Sequence, residues 1–280
     1  MNSDLMQVRV DVARALAEDI GSGDVTASLL PEQLMVDAEI ISREPMLLCG
    51  QQWVEEAFHQ IDSTVELQWL ESEGSWLDTP RTLCQIKGRA RSLLTAERTA
   101  LNFLQTLSAT ATQTYQYVQQ LKGSKTQLLD TRKTLPGLRQ AQKYAVRCAG
   151  GVNHRLGLYD AFLIKENHIK ACGSIAQAIF LARQVSPAVL VEIEVETLAE
   201  LQEALAARPD RILLDNFNQE MLLAAVKLNE QYGCSLEASG GITLETIAQI
   251  AGSGVDFISI GAITKSIQAI DLSMLVRDIL

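Results

Sequence analysis

From Lys125 onward the chain repeats one unit: a short apolar run, a polar or glycine-bearing tip, then an amphipathic stretch. Six runs qualify as strands, at 126–129, 161–164, 189–195, 211–214, 235–238 and 257–260. Helices fit between them at 136–149, 175–184, 198–207, 219–231 and 244–251. Strands alternating with helices at intervals of about 20–35 residues build right-handed βαβ units and a parallel sheet. Six strands are too few for a closed eight-stranded barrel. An open Rossmann sheet lacks its fingerprint, because no strand is followed by GxGxxG. The nearest string, Gly21-Ser22-Gly23-Asp24-Val25-Thr26, has neither a third glycine nor a preceding strand. The pattern predicts an α/β chain whose second part, 108–280, is an incomplete barrel, with the last residues able to return to the first part.

Residues 1–107 read differently, as a smaller α/β domain. Alternation at 32–43 and 65–70 predicts strands, and Gly50, Gly74, Pro80 and Gly88 punctuate the segment. The stretch 18–26 reads as a turn and a helix start. A long helix is expected from Thr95, as N-cap, to Lys122-Gly123, a cation followed by a C-cap glycine. Its body, 101–121, has no charged residue, so it belongs in a core or against another subunit; partial burial in a homodimer is the expectation. In that frame Arg98 sits in the first turn, where the helix dipole disfavours a cation, so either Glu97 offsets it or an anion binds there.

Composition removes several classes. With 47% hydrophobic residues the chain can bury a sizeable core, which excludes disorder. Five cysteines without a CxxC pair fit neither a zinc ribbon nor a disulfide scaffold, and point to a reducing cytoplasm. Residues 1–11 carry acids and no apolar run of the kind a signal peptide needs. The segment 101–121 holds five glutamines, too polar for a membrane span. A net charge of −10 leaves no global basic footprint for nucleic acid.

Against that total, 131–170 carries eight Lys/Arg and only Asp160 and Glu166, a local +6. Arg139, Lys143 and Arg147, at spacings of four, read as a solvated helix face. Arg132, Lys133, Arg155 and Lys165 lie beside strands and glycines instead, and read as an anion site. The expected strand ends carry Asp130-Thr131-Arg132-Lys133, Lys165-Glu166-Asn167-His168, Glu194, Asp215-Asn216, Ser239-Gly240-Gly241 and Gly261-Ala262. In α/β barrels chemistry gathers at those ends.

Each tip has a plainer reading beside the functional one. Val189, Val191, Ile193 and Val195 share one face of their strand, which turns Glu192, Glu194 and Glu196 inward unless the strand is a wet edge. Glu194 and Asp215 together suit a hard divalent ion such as Mg2+, while Asp215-Asn216 could instead only cap a helix. The glycines at 240, 241 and 261 let backbone approach a phosphate, although tight turns need glycine anyway. Lys165 is either a Schiff-base lysine or a fixed cation, with its cationic neighbours favouring the second. His154 is a carboxylate ligand or a packed loop histidine; His168 has the same two readings, and His59 reads as structural.

Longer strings carry a resemblance. Asp130-Thr-Arg-Lys-Thr-Leu-Pro-Gly-Leu-Arg139 is followed by Lys143-Tyr-Ala-Val, by Gly150-Gly-Val-Asn-His-Arg155-Leu-Gly-Leu and by Asp160-Ala-Phe-Leu-Ile-Lys-Glu-Asn-His168. Further matching stretches are 18–26, 97–104, 191–196, 213–217 and 257–261. The chain closely resembles, over nearly its whole length, the quinolinate phosphoribosyltransferases, the carboxylating nicotinate-nucleotide pyrophosphorylases of NAD biosynthesis. The resemblance implies the type II phosphoribosyltransferase fold, an N-terminal α/β sandwich followed by an open six-stranded barrel. It implies a cytoplasmic homodimer acting on quinolinate and phosphoribosyl pyrophosphate (PRPP) with Mg2+, and Arg98 supplied to each site by the partner chain. Carried over by motif, Arg132, His154, Arg155 and Lys165, helped by Arg98, bind the quinolinate carboxylates, Thr131 contacts substrate, and Lys133 contacts the phosphoribosyl donor. Glu194 and Asp215 contact Mg2+ and the ribose hydroxyls. Ser239, Gly240 and Gly241 with Ile260, Gly261 and Ala262 cradle the 5′-phosphate. Lys133, Lys165, Glu194 and Asp215 are the expected catalytic set.

Overall fold

The computed structural model describes residues 2–279, which form two compact units. The first comprises the chain up to Tyr115, Leu135–Ala149, and the chain from Ser266 on; the second comprises Gln116–Thr134 and Gly150–Lys265. The chain therefore crosses between units more often than a single boundary near 107 provides for, and the last strand does return to the first unit.

The first unit is built on an antiparallel sheet of four strands in the order Leu272–Ile279, Met35–Ser42, Arg81–Arg89, Glu66–Trp69. Along Met35–Ser42 burial alternates residue by residue, so Val36, Ala38 and Ile40 enter the core while Asp37 and Glu39 remain on the other face. The same core takes Val8, Val12 and Leu16 from the helix Asn2–Ile20 and Trp53, Val54, Ala57 and Phe58 from Gln51–Ile61.

The long helix runs Ala90–Gln120, so it starts five residues before Thr95. Thr95 is inside it, and its hydroxyl donates to Asp24 Oδ2 at 3.0 Å rather than capping a helix end. Arg98 therefore lies beyond the first turn, and the dipole argument attached to it fails; its side chain is 59% exposed, with Glu97 at 4.0 Å. The charge-free body needs no second subunit for burial, because Leu101, Leu104, Leu107, Ser108, Thr110, Ala111 and Thr114 are buried within this chain. Threonines fit there because Thr110 and Thr114 return their hydroxyl protons to carbonyls four residues back. Residues 18–20 end a helix instead of starting one, and Thr26 precedes a short 3-10 turn, Ala27–Leu29. Of the cationic trio, Arg147 is exposed and Arg139 half-buried, but Lys143 is fully buried in the helix Arg139–Cys148, so it is no part of a solvated face.

The second unit is the expected six-stranded parallel sheet. Its order is Gln127–Leu129, Phe257–Ser259, Ser235–Ser239, Arg211–Asp215, Leu190–Val195, Ala161–Ile164, every neighbouring pair parallel. Gln127–Leu129 and Ala161–Ile164 are its two edges, so the sheet is open among the described residues. Helices Ile175–Val185, Leu198–Ala207, Gln219–Asn229 and Ile247–Ala251 connect successive strands. Ser174, Thr197 and Asn218 cap the first three, each side chain accepting a backbone N–H. Because all six strands run the same way, their polar tips emerge at one face.

Candidate active site

The tips line a cavity of about 420 Å³ that takes in Thr131, Arg132, Lys133, His154, Arg155, Lys165, Glu194, Asp215 and Ser239. A second cavity of about 420 Å³ shares Thr131, Lys133, Asp215 and Ser239 with the first and adds Gly240, Gly241, Ile260, Gly261 and Ala262. Among the expected site residues Arg98 alone lines neither. Glu196 lies past the strand end and is exposed, so it does not face inward as strand alternation expects.

The cations are placed by backbone. Asp130, fully buried at the end of its strand, accepts the His154 N–H at 2.9 Å and the Asn153 side-chain amide at 2.5 Å, which ties the loop 150–155 to the strand tip. Arg155 donates its own N–H to His154 Nδ1 at 2.7 Å and a guanidinium N–H to the Ala161 carbonyl at 3.2 Å. Burial, and then the Arg132 charge, hold the Arg155 guanidinium below its usual range. Two arginines whose charges oppose one another in a half-buried wall are stabilised by an anion. Lys165 ends its strand and precedes a helix the periodicity did not show, Glu166–Cys172, too short for a 3.6-residue period to stand out. The Lys165 ammonium is ion-paired with Glu194 Oε2. A lysine held on a carboxylate fits the fixed-cation reading.

Asp215 accepts from the Asn216 amide at 2.9 Å, and burial and then the Glu194 charge push its carboxyl above the usual range. Two carboxylates repelling each other beside a cavity fit a hard divalent cation, whose charge removes that repulsion. The glycines have specific reasons. A Cβ on Gly240 would stand 2.1 Å from Asn216 Oδ1, and its φ of +106° suits glycine. A Cβ on Gly261 would stand 2.9 Å from Lys133 Cδ, so glycine there leaves the path of the Lys133 side chain clear. Thr264 donates to the Lys133 carbonyl at 2.8 Å and closes this corner.

Comparisons with known proteins identify the family. The C-terminal domain of quinolinate phosphoribosyl transferase matches residues 110–275 and its N-terminal domain matches 24–108. A probable carboxylating nicotinate-nucleotide pyrophosphorylase of Bacillus subtilis is 41% identical over 258 residues, covering 92% of this chain and 89% of that one. A Mycobacterium leprae protein of the same name, without the qualifier, is 40% identical over 275 residues, covering 95% of this chain and 96% of that one. The solved nicotinate-nucleotide pyrophosphorylase of Francisella tularensis superposes with a TM-score of 0.94 at 49% identity, covering 98% of this chain and 97% of that one. This chain belongs to the quinolinate phosphoribosyltransferase family.

The quinolinate phosphoribosyltransferase pocket also holds a carboxyl group that the sequence reading passed over, close to the Glu192 it had turned inward. Glu237, inside the strand Ser235–Ser239, lines the first cavity and is fully buried, as is Glu192 on Leu190–Val195. His154 Nε2 lies 2.9 Å from Glu192 Oε2 and 3.6 Å from Glu237 Oε2. Arg211 donates to Glu237 Oε2 at 3.1 Å with its guanidinium 4.1 Å over the Phe257 ring. Burial, and then the neighbouring Glu192, push Glu237 up to about 8, and burial raises Glu192 as well. Neither Glu192 Oε1 nor Glu237 Oε1 has a hydrogen-bond partner, and burial without one favours the neutral form of each carboxyl. The available signal was period two: Glu237 is two residues before Ser239 and so shares its inward face.

Proposed function

We propose that this chain transfers the phosphoribosyl group of PRPP to the ring nitrogen of quinolinate, with loss of the 2-carboxylate as CO2, yielding nicotinate mononucleotide and pyrophosphate for de novo NAD biosynthesis. The observation that carries the reading is the convergence of Arg132, Lys133, Arg155 and Lys165, with His154, on one cavity of a chain whose net charge is −10. Quinolinate is a dianion and PRPP carries several more charges, so both need cations to share one site. Membership of the family supports the substrate pair.

Arg132, Arg155, His154 and Lys165 hold the two quinolinate carboxylates and orient the ring nitrogen; Lys133 holds the donor. The backbone at Ser239–Gly241 and Ile260–Ala262 receives the 5′-phosphate. Glu194 and Asp215 would hold Mg2+, which would supply neutralising charge for the pyrophosphate leaving group. As the C1–O bond of the ribose breaks, positive charge grows on the sugar, and the same two carboxylates stand where they oppose it. The nitrogen attacks C1, and the pyridinium so formed stabilises the electron pair left at C2 when CO2 departs; a proton then takes its place. Much of the acceleration comes from positioning and preorganised charge.

The reaction is read directly with carboxyl-labelled quinolinate. The expected result is release of CO2 and pyrophosphate in equal amounts, only when PRPP is present. Pyrophosphate release without CO2 would mean hydrolysis of PRPP or transfer without decarboxylation, and would overturn the proposal, as would neither product from folded protein.

Arg98 lines neither cavity of its own chain and is exposed. We assign it to the site of a partner chain in a cytoplasmic homodimer, with no nucleic-acid partner. Among the described residues no helix is long and apolar enough to cross a membrane. At quinolinate concentrations well below the variants' KM, Arg98→Ala and Arg155→Ala proteins should each be nearly inactive alone. Unfolded together and refolded, they should recover activity, because a quarter of the sites in a mixed population then receive both arginines. Lack of any recovery would remove Arg98 from a shared site.

A further inference from the structure

The first unit holds a pair of sulfur atoms that the reaction does not use. Cys49 is fully buried just ahead of the helix Gln51–Ile61, and Cys148, half-buried, is the last residue of Arg139–Cys148. Their sulfurs and one Glu73 carboxylate oxygen all lie within 4.8 Å of one another. Three such atoms could invite a thiophilic cation, and Glu73 decides against it. Its Oε1 accepts from the Gly50 N–H at 2.8 Å and the Tyr144 hydroxyl at 2.9 Å, and its Oε2 accepts from the Gln51 N–H at 3.2 Å. Gly50, the N-cap, has no side chain, so Glu73 serves as the cap of that helix. A metal would take the carboxylate from three donors, two of them backbone. What remains is a dithiol, its two sulfurs within 4.8 Å of each other.

We propose that Cys49 and Cys148 form a site of reversible oxidation at which a peroxide joins them as an intramolecular disulfide. The proposal rests on the thiols alone and is independent of the transferase reaction. Exposure sets the order of events. The partly accessible Cys148 attacks one peroxide oxygen as thiolate; the O–O bond breaks, leaving Cys148 sulfenic acid and, with one proton, water. The Cys49 sulfur then attacks the Cys148 sulfur, the S–O bond breaks, and hydroxide departs as water with the Cys49 proton. Two thiols are oxidised and one peroxide is reduced, giving one disulfide and two waters. Polarity agrees with that order: the neighbouring Cys49 thiol holds the Cys148 thiol below its usual range, while burial pushes Cys49 up. The bond would tie residues 99 positions apart, so the oxidised protein gains stability from a restricted unfolded chain.

The test exposes the reduced full-length protein to hydrogen peroxide, quenches with iodoacetamide in denaturant, and measures intact and peptide masses. The expected protein is two hydrogens lighter, with three of its five cysteines alkylated and one peptide pair joining Cys49 to Cys148. Dithiothreitol should restore all five, and the thermal midpoint should be higher in the oxidised form. Cys148→Ser at the same dose should show four alkylated cysteines and no crosslink; Cys148→Ala serves if the serine protein is insoluble. A sulfinic acid on Cys148 beside an alkylatable Cys49 would overturn the proposal. So would one-to-one Zn2+ binding that shields both thiols from peroxide, which would make this a metal site.

Discussion

Arg155→Ala should lower kcat/KM for quinolinate by roughly 100- to 10,000-fold, almost all of it in KM, while the KM for PRPP changes little. The guanidinium can offer a carboxylate two charge-assisted hydrogen bonds, each worth about 1.5–3 kcal/mol, and about 1.4 kcal/mol is tenfold. Its environment keeps it available. One guanidinium N–H goes to the Ala161 carbonyl, and burial and Arg132 destabilise its charge until an anion arrives. Arg155→Lys should recover only part of the loss, because an ammonium cannot reproduce the planar fork. Steady-state kinetics with each substrate varied in turn make the check. An unchanged quinolinate KM would remove Arg155 from the carboxylate site, and an equal rise in both KM values would place it on the donor instead.

The second large effect concerns stability and pH. Glu237 titrates at about 8 in the folded protein, against 4.5 for an ordinary glutamate. Between those values the folded chain keeps a proton that the unfolded chain has released. Stability is therefore fully present below about pH 4.5, falls as pH rises through about 8, and flattens above that. At 1.36 kcal/mol for each pKa unit the total is on the order of 4 kcal/mol. Glu237→Gln keeps the shape and removes the Glu237 titration. Urea unfolding at pH 5.5, 7 and 8.5 should show a falling midpoint for the native chain and a much flatter series for the variant. Parallel series would mean that Glu237 carries no proton in the folded state.

Much of the fold was legible because it depends on neighbours in sequence. Strands such as Ala161–Ile164 and Arg211–Asp215 announce themselves by apolar runs ended by polar tips, and Leu198–Ala207 by its capping Thr197 and Glu200. Misreadings arose where tertiary packing overrode local signals. Thr95 looks like an N-cap, yet the helix extends back to Ala90 because Leu93 and Ala96 have a core to enter. Lys143 looks like one of three solvated cations and is buried instead. Period two placed Glu237 on the inward face, but a glutamate in a strand is ordinary until its surroundings are dry.

By itself the sequence determined that six parallel strands would form and that Arg132, Lys133, Lys165, Glu194, Asp215 and the paired glycines would stand at their ends. Period-two alternation and turn chemistry are local, and parallel strands put every such end on one side. Only the tertiary structure decided which buried groups meet. Glu192 and Glu237 become buried neighbours through strand pairing across Arg211–Asp215, and Cys49 comes against Cys148 from 99 residues away. Such encounters depend on strand order, and their consequences depend on the removal of water. Neither is written in any short stretch of sequence, because desolvation belongs to the assembled core.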